Sequence, residues 1–349
     1  MINIQGRHIW LKGLAVMAVM GLLAGCGPDT RWVQPAGKQP EAEQLNVVTT
    51  LFPYYDFTRQ IAGGEVELSL VVPAGMDSHS FEPTPADMRL IQNADILIRN
   101  GGEMEHWLDE VLEALDTSDM TVITMMDYVD TVEEELVEGM EDAGHDHGTE
   151  GHGPETAHTH RDYIDYDGHE AEIEYDEHIW TSPVHAMKLV EAIRDVLMQK
   201  DAANQELYRR QAEAYLARLE SIDAGFREVS AARKRNMIII GDKFPFRYLA
   251  DEYHLDYRAA FSGCSSDTEP SAKTIAYLID KVKKEQIPVV YYLELSSHRV
   301  AEIIGEETGA KPLLLHSCHN VTRAQFDAGI TYADLMEQNI ENLRKGIDE

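Results

Sequence analysis

The 349-residue sequence carries 62 acidic and 30 basic side chains, which gives a formal net charge of −32 at pH 7. Proteins that bind nucleic acid need basic surfaces, so this charge excludes that class, whereas it suits a protein that attracts cations. At this length the chain has room for about two domains.

The N-terminal segment has the features of an export signal. Arg7 and Lys12 precede an apolar run, residues 14–23, that is too short to span a bilayer and leads to Cys26. The pattern resembles a bacterial lipoprotein signal, in which Cys26 becomes the lipidated first residue. An ordinary signal peptide with an incidental cysteine is the alternative.

We therefore expect residues 1–25 to be removed on export and residues 26–44 to form a polar tether. The protein would then be anchored by lipid to the outer face of the cytoplasmic membrane, which is the periplasmic side in a cell with two membranes.

Short apolar segments alternate with helical segments from residue 45 to residue 126. Such alternation indicates a parallel sheet with helices on both faces. The predicted strands are residues 45–50, 67–72, 95–99 and 121–126, and the predicted helices are residues 53–61, 85–93 and 103–115.

An acidic, histidine-rich tract follows. Residues 130–177 contain eighteen Asp or Glu and a single Arg, a composition typical of a solvated, disordered loop (about 130–175). Imidazole is a common ligand of zinc, so the tract indicates loose metal capture; a charged loop with incidental histidines is the alternative. The auxiliary metal-binding candidates are His145, His147, His152, His158, His160 and His169.

Residues 184–235 are predicted to be mainly helical. From Tyr208 to Val229, apolar residues recur in steps of four and three, which predicts one continuous seam on a helix of about 30 residues. A coiled-coil dimer is the alternative, but the seam is short and mixed in composition. We expect a monomer in which this helix packs along both lobes.

The alternation of strands and helices restarts after the long helix. The sequence therefore predicts two α/β lobes, residues 45–183 and 236–349, each with a four-stranded, mainly parallel sheet flanked by helices and joined by the long helix. The predicted strands are residues 237–241, 255–261, 289–294 and 313–315, and the predicted helices are residues 245–253, 271–285, 297–308 and 332–343.

Histidines and a carboxylate follow several predicted strands at their carboxyl ends, where open α/β sheets bind ligands. His79 follows the second strand, His178 enters after the fourth, Asp242 follows the fifth and His316 follows the last. Together they predict a Zn²⁺ or Mn²⁺ site in the cleft between the lobes. His319 lies three residues after His316 and is the alternative metal ligand at this position.

Two cysteines remain once Cys26 is lipidated. An even pair in an exported chain predicts a disulfide between Cys264 and Cys318. Ligation of metal by both thiolates is the competing interpretation.

Several segments match a known family: the histidine-rich loop, residues 77–83, residues 176–183, residues 246–248 with Tyr253, and residues 332–336 with Asn339. The chain resembles the cluster A-I metal-binding proteins of bacterial ABC importers, which are the zinc and manganese solute-binding lipoproteins. The resemblance covers nearly all of the mature chain.

The resemblance implies that His79 and His178 are ligands and that a further ligand comes from the end of the last strand, where this chain has His316. The family's third ligand, a His or Glu, falls on Lys243, and a protonated lysine has no lone pair to give. Either Asp242 takes that place, or water or His319 completes a site with three protein ligands. A cysteine pair placed like Cys264 and Cys318 forms a disulfide in some zinc-specific members.

The expected function is high-affinity binding of a transition metal outside the cytoplasm, with delivery of the ion to an ABC permease in the membrane. Zinc is the first expectation and manganese the alternative. A secreted zinc hydrolase is the competing class, but the sequence has no His-Glu-x-x-His motif. A binding protein for an organic solute is a further alternative that the two lobes alone would permit.

Overall fold

The computed structural model describes residues 44–140, 175–263 and 270–348. Two four-stranded sheets are parallel throughout and share one strand order, in which the second strand lies at an edge and is followed by the first, third and fourth. The predicted fold class is therefore confirmed. The strands are β1 (Leu45–Thr49), β2 (Val66–Leu70), β3 (Ile96–Arg99), β4 (Thr121–Thr124), β5 (Met237–Ile240), β6 (Asp256–Ala259), β7 (Val289–Tyr292) and β8 (Lys311–Leu314).

Several helices begin at capping residues that can be read from the sequence. Thr84 and Asp87 form a capping box before the helix Pro85–Gln92, and Thr331 and Asp334 form another before the helix Tyr332–Ile347. The helices are α1 (Phe52–Ala62), α2 (Pro85–Gln92), α3 (His106–Ala114), α4 (Pro183–Lys200), α5 (Gln205–Ala232), α6 (Arg247–Tyr253), α7 (Ala272–Glu285), α8 (Arg299–Thr308), α9 (Arg323–Asp327) and α10 (Tyr332–Ile347).

Several helices differ from the sequence prediction at one end. Helix α3 begins at His106, after a 3₁₀ turn over Glu103–Glu105, rather than at residue 103, and α10 extends to Ile347 rather than ending at residue 343. Helix α8 begins at Arg299 rather than at residue 297, because His298 adopts a left-handed backbone conformation with φ of 58°. The short helix α9 was not predicted, although a capping box formed by Thr322 and Gln325 marks its start.

Helix α5 packs against α1, α4 and α10. Its 28 residues span roughly 42 Å at 1.5 Å per residue. The apolar seam predicted from the sequence is buried along its whole length. The spacing of the apolar residues places the whole seam on one face of α5. This face packs against helices from both halves of the chain. The seam comprises Tyr208, Ala212, Tyr215, Leu219, Ile222, Phe226 and Val229.

A buried carboxylate joins the two halves. Asp56 of α1 is fully buried, and its Oδ2 accepts hydrogen bonds from the backbone N–H of Tyr332 at 2.7 Å and from the hydroxyl of Tyr215 at 3.2 Å. Its Oδ1 lies 2.6 Å from the Arg59 guanidinium, which also donates to the carbonyl of Ile330 at 2.8 Å. One side chain thus connects α1, α5 and the start of α10.

Two segments of the acidic tract pair with each other. Glu133 and Tyr175 form an antiparallel bridge, and the N–H of Asp176 donates to the carbonyl of Val132 at 2.9 Å. The tract also contacts the second half of the chain, where the Tyr257 hydroxyl donates to Glu135 at 3.0 Å. Residues 132–133 and 175–176 are therefore held side by side.

Several sequence predictions fall outside the described residues, among them the signal segment, the tether and the middle of the acidic tract. In the described ranges, no helix combines the length and the apolar character needed to cross a membrane. The predicted site residues outside these ranges are Cys26, His145, His147, His152, His158, His160, His169 and Cys264.

Replacing Asp56 by Ala should destabilise the protein by about 3 kcal/mol, because it leaves a buried backbone N–H and a paired guanidinium without their acceptor. Urea unfolding followed by circular dichroism would measure the change. Asp327→Ala is the control: it removes an exposed ion pair with Arg323 at 3.0 Å and should cost about 0.5 kcal/mol or less. Equal losses in both variants would contradict a special role for Asp56.

Candidate metal centre

Loops at the carboxyl ends of both sheets enclose a cavity of about 330 Å³. This is the position at which open α/β sheets bind ligands. Residues from both halves of the chain line it, among them Asp77, His79, His178, Asp242, Lys243 and His319.

The first half contributes two histidines from short 3₁₀ turns. His79 lies in the turn after β2, where the Asp77 carboxylate caps the turn by accepting the His79 N–H at 3.1 Å. His178 precedes the turn before α4 and is buried. Asp176 accepts its N–H at 2.9 Å and lies 3.2 Å from its Nδ1. A carboxylate two residues before each histidine therefore fixes its backbone, and Asp176 also orients the His178 ring.

The second half contributes His319 from the loop after β8. Its ring centroid lies 5.4 Å from that of His79 and 6.0 Å from that of His178, and the first two rings are 5.5 Å apart. Ligand atoms of Asp77, His79 and His319 all lie within 4.8 Å of one another. Three imidazoles and a carboxylate thus converge at one point of the cavity.

His316, the first choice from the sequence, lies elsewhere. Its Nδ1 accepts the N–H of Cys318 at 3.0 Å, and Asn339 bonds both its N–H and its carbonyl, at 2.8 Å and 2.7 Å. The left-handed conformation of Cys318, with φ of 60°, turns the chain so that His319 faces the cavity instead. In the structure, His319 rather than His316 therefore lies beside His79 and His178.

Asp242 and Lys243 both line the cavity but differ in orientation. Asp242 accepts the N–H of Lys243 at 2.9 Å and lies 3.5 Å from the N–H of Leu293, so its oxygens are used by the backbone of its own half. The Lys243 ammonium lies 3.6 Å from Oδ2 of Asp77. Asp77, which the sequence analysis did not select, is the carboxylate that lies beside the histidines.

Burial determines the charge of two of the imidazoles. It lowers the pKa of His79 to about 3, with a further contribution from His178, and it holds the pKa of His319 well below the usual value. Burial also opposes the charged form of His178, but Asp176 outweighs it and raises the pKa of that ring. Neutral imidazoles at His79 and His319 keep lone pairs available for a metal ion.

Trp180 forms one wall of the centre. Its ring stacks on His319, with centroids 5.7 Å apart and an interplanar angle of 18°. The indole N–H donates to the carbonyl of Ser317 at 2.8 Å, and the Trp180 carbonyl accepts the hydroxyl of Tyr332 at 2.7 Å. The wall is thereby bonded to the loop that carries His319 and to α10.

Asn320 connects the loops that carry His319 and His79. Its side-chain amide donates to the carbonyls of Pro73 and Met76, both at 2.8 Å, although the two loops belong to different halves of the chain. The adjacent Cys318 is buried. Its predicted disulfide partner, Cys264, lies outside the described residues, so the disulfide stays a prediction.

Comparison with known proteins identifies the family. The model of the family described as zinc-uptake complex component A, periplasmic, matches residues 47–346. The chain belongs to this family.

Relatives of known name cover most of the chain. The zinc-binding lipoprotein AdcA of Streptococcus pneumoniae (strain ATCC BAA-255 / R6) is 34% identical over 309 residues, which are 88% of this chain and 56% of AdcA. The chain therefore spans little more than half the length of that relative. The high-affinity zinc uptake system protein ZnuA of Bacillus subtilis (strain 168) is 30% identical over 337 residues, which are 96% of this chain and 97% of ZnuA.

Solved structures of this family share the fold. The crystal structure of the Zn(II)-bound ZnuA-like domain of S. pneumoniae AdcA matches with a TM-score of 0.67 and 31% sequence identity, over 88% of this chain and 100% of that domain. The metal-dependent lipoprotein YcdH of B. subtilis matches with a TM-score of 0.68 and 27% identity, over 88% of this chain and 100% of YcdH.

Asn320→Ala should loosen the loop of residues 73–80, because it removes both bonds that the second half makes to the Pro73 and Met76 carbonyls. The loop amides should exchange with deuterium at least about fivefold faster. Hydrogen-exchange mass spectrometry would measure this. Asn342→Ala, which removes a bond of 2.9 Å to the Leu314 carbonyl within the second half, is the control and should leave the loop unchanged.

Proposed function

We propose that this chain is an extracytoplasmic zinc-binding protein that delivers its ion to an ABC permease. The observation that carries the proposal is the convergence of His79, His178 and His319 from two halves of the chain, with Asp77 beside them. The printed names of the relatives, a zinc-binding lipoprotein and a zinc uptake protein, support the same ion.

The proposed ligands are the three imidazoles and the Asp77 carboxylate. Zinc binds three or four such groups in a tetrahedral arrangement, with bonds of about 2.0–2.2 Å. In this set Asp77 takes the place that the sequence analysis gave to Asp242, and His319 takes that of His316. Asn320 and Trp180 already fix the loops that carry these residues. Small shifts of the three histidine side chains would therefore be enough to bring their ring nitrogens within bonding distance of one ion.

The identity of the ion follows from the donor atoms. A set dominated by imidazole nitrogen suits zinc, whereas manganese prefers oxygen ligands. Asp176 supports the same assignment, since a carboxylate that accepts the second N–H of a ligating histidine fixes its orientation and raises its basicity. Manganese stays the alternative ion for this site.

We propose binding and release of the ion as the whole activity, without turnover of a substrate. A monomer anchored through lipidated Cys26 would hold the cleft near the permease in the membrane. The dependence of the site on both halves supports this transport role, because separation of the halves would pull His319 away from His79 and His178 and free the ion.

Replacing His79, His178 or His319 by Ala should each weaken zinc affinity by about two orders of magnitude or more, because each removes one bond to the ion. Competition titration with a zinc chelator would measure the affinities. His316→Asn is the matched control, since the asparagine oxygen can still accept the Cys318 N–H. A large loss in the control, with His319→Ala unaffected, would return the ligand role to His316.

The histidines between residues 145 and 169 are proposed as an auxiliary collector of zinc. Their spacing among glycines gives many weak sites rather than one rigid site. Deleting residues 145–169 should therefore lower the number of zinc ions bound without changing the tight site. Isothermal titration with zinc would count both classes, and loss of the tight class would place that segment in the primary site.

A further inference from the structure

Lys243 is a basic side chain of the second half that lines the cavity and pairs with one of the proposed ligands. It follows β5, and its Nζ lies 3.6 Å from Oδ2 of Asp77 in the first half. The same Asp77 carboxylate lies within 4.8 Å of ligand atoms of His79 and His319. One carboxylate is therefore within reach of two cation positions, the ammonium and the ion at the histidines.

The chemistry of lysine makes these two positions competitors. An ammonium group donates hydrogen bonds but has no lone pair for a metal, so Lys243 cannot become a ligand while it is charged. Its positive charge repels a nearby dication, and its side chain is only 17% exposed, so water screens this repulsion less than at the surface.

We propose that Lys243 is an affinity-setting residue: a tethered cation that competes with the metal ion for Asp77. This inference rests on the proposed function and adds to it a means of release. When the ion leaves, the ammonium pairs with the Asp77 carboxylate, whose side chain is 45% exposed, so the largely buried Lys243 keeps a partner of opposite charge. The same ion pair weakens zinc binding, because the arriving ion must displace the Lys243 ammonium from Asp77.

The neighbouring contacts direct the ammonium toward Asp77. The Asp242 carboxylate accepts the backbone N–H of Lys243 at 2.9 Å, which fixes the start of the side chain at the edge of the cavity. Because Lys243 and Asp77 belong to different halves, their pairing also draws together the two walls of the cleft beside the ligands.

The test is the zinc affinity and zinc release rate of Lys243→Met, a neutral side chain of similar length. We expect affinity to rise about tenfold and release to slow in proportion. Chelator competition would give the affinity, and stopped-flow transfer to a fluorescent chelator would give the rate. Lys243→Gln, which keeps a polar end, should show the same gain.

Lys281→Met is the matched control. The Lys281 ammonium lies 3.6 Å from Glu285 within α7, and its side chain is also 17% exposed. The variant Lys281→Met removes the same charge from an ion pair of the same length, but at a position away from the cavity. Its zinc affinity should equal that of the unmodified protein.

A double-mutant cycle with Asp77→Asn tests whether Lys243 lowers the zinc affinity through its contact with Asp77. If Lys243 acts through Asp77, Lys243→Met should gain less than about threefold in the Asp77→Asn background. A full gain in that background, or weaker zinc binding in Lys243→Met, would overturn the inference. Failure of the unmodified protein to bind zinc would instead refute the proposed function, and the inference with it.

Discussion

The hydrogen bonds of one buried carboxylate connect the two halves of the chain that supply the proposed metal ligands. Asp56 joins α1 to α5 and to the first turn of α10, and so fixes the two halves of the chain relative to each other. His79 and His178 come from one half and His319 from the other. A metal site requires its donor atoms to be held within about 0.5 Å, so the coordination geometry depends on this distant junction.

The burial that holds the halves together also prepares the chemistry of the cleft. Solvent exclusion keeps His79 and His319 neutral. Asp77 caps the turn that carries His79, and Asp176 bonds both the backbone and the ring of His178. The proposed centre therefore combines imidazoles with two carboxylates, Asp77 near the ligand atoms of His79 and His319 and Asp176 beside His178.

Most of the architecture could be predicted from the sequence, because apolar periodicity specifies strands, the long helix and its buried seam. His79 and His178 could also be found, since each follows a strand or precedes a helix in a recognisable motif. Which of His316 and His319 lies beside them could not be predicted, because it depends on the left-handed backbone of Cys318. The sequence also did not indicate Asp77, because its neighbours His319 and Lys243 lie far away in the sequence.

The bridge between Glu133 and Tyr175 has a consequence for how this protein can change through evolution. The chain between these two residues starts and ends at neighbouring points, and closing a loop of twice the length costs only about 0.6 kcal/mol more. Insertions and deletions between them would therefore change the number of histidines in this part of the sequence at little cost to the fold. Under the proposed collecting role of these histidines, lineages that face different zinc supplies could adjust how many ions the protein collects.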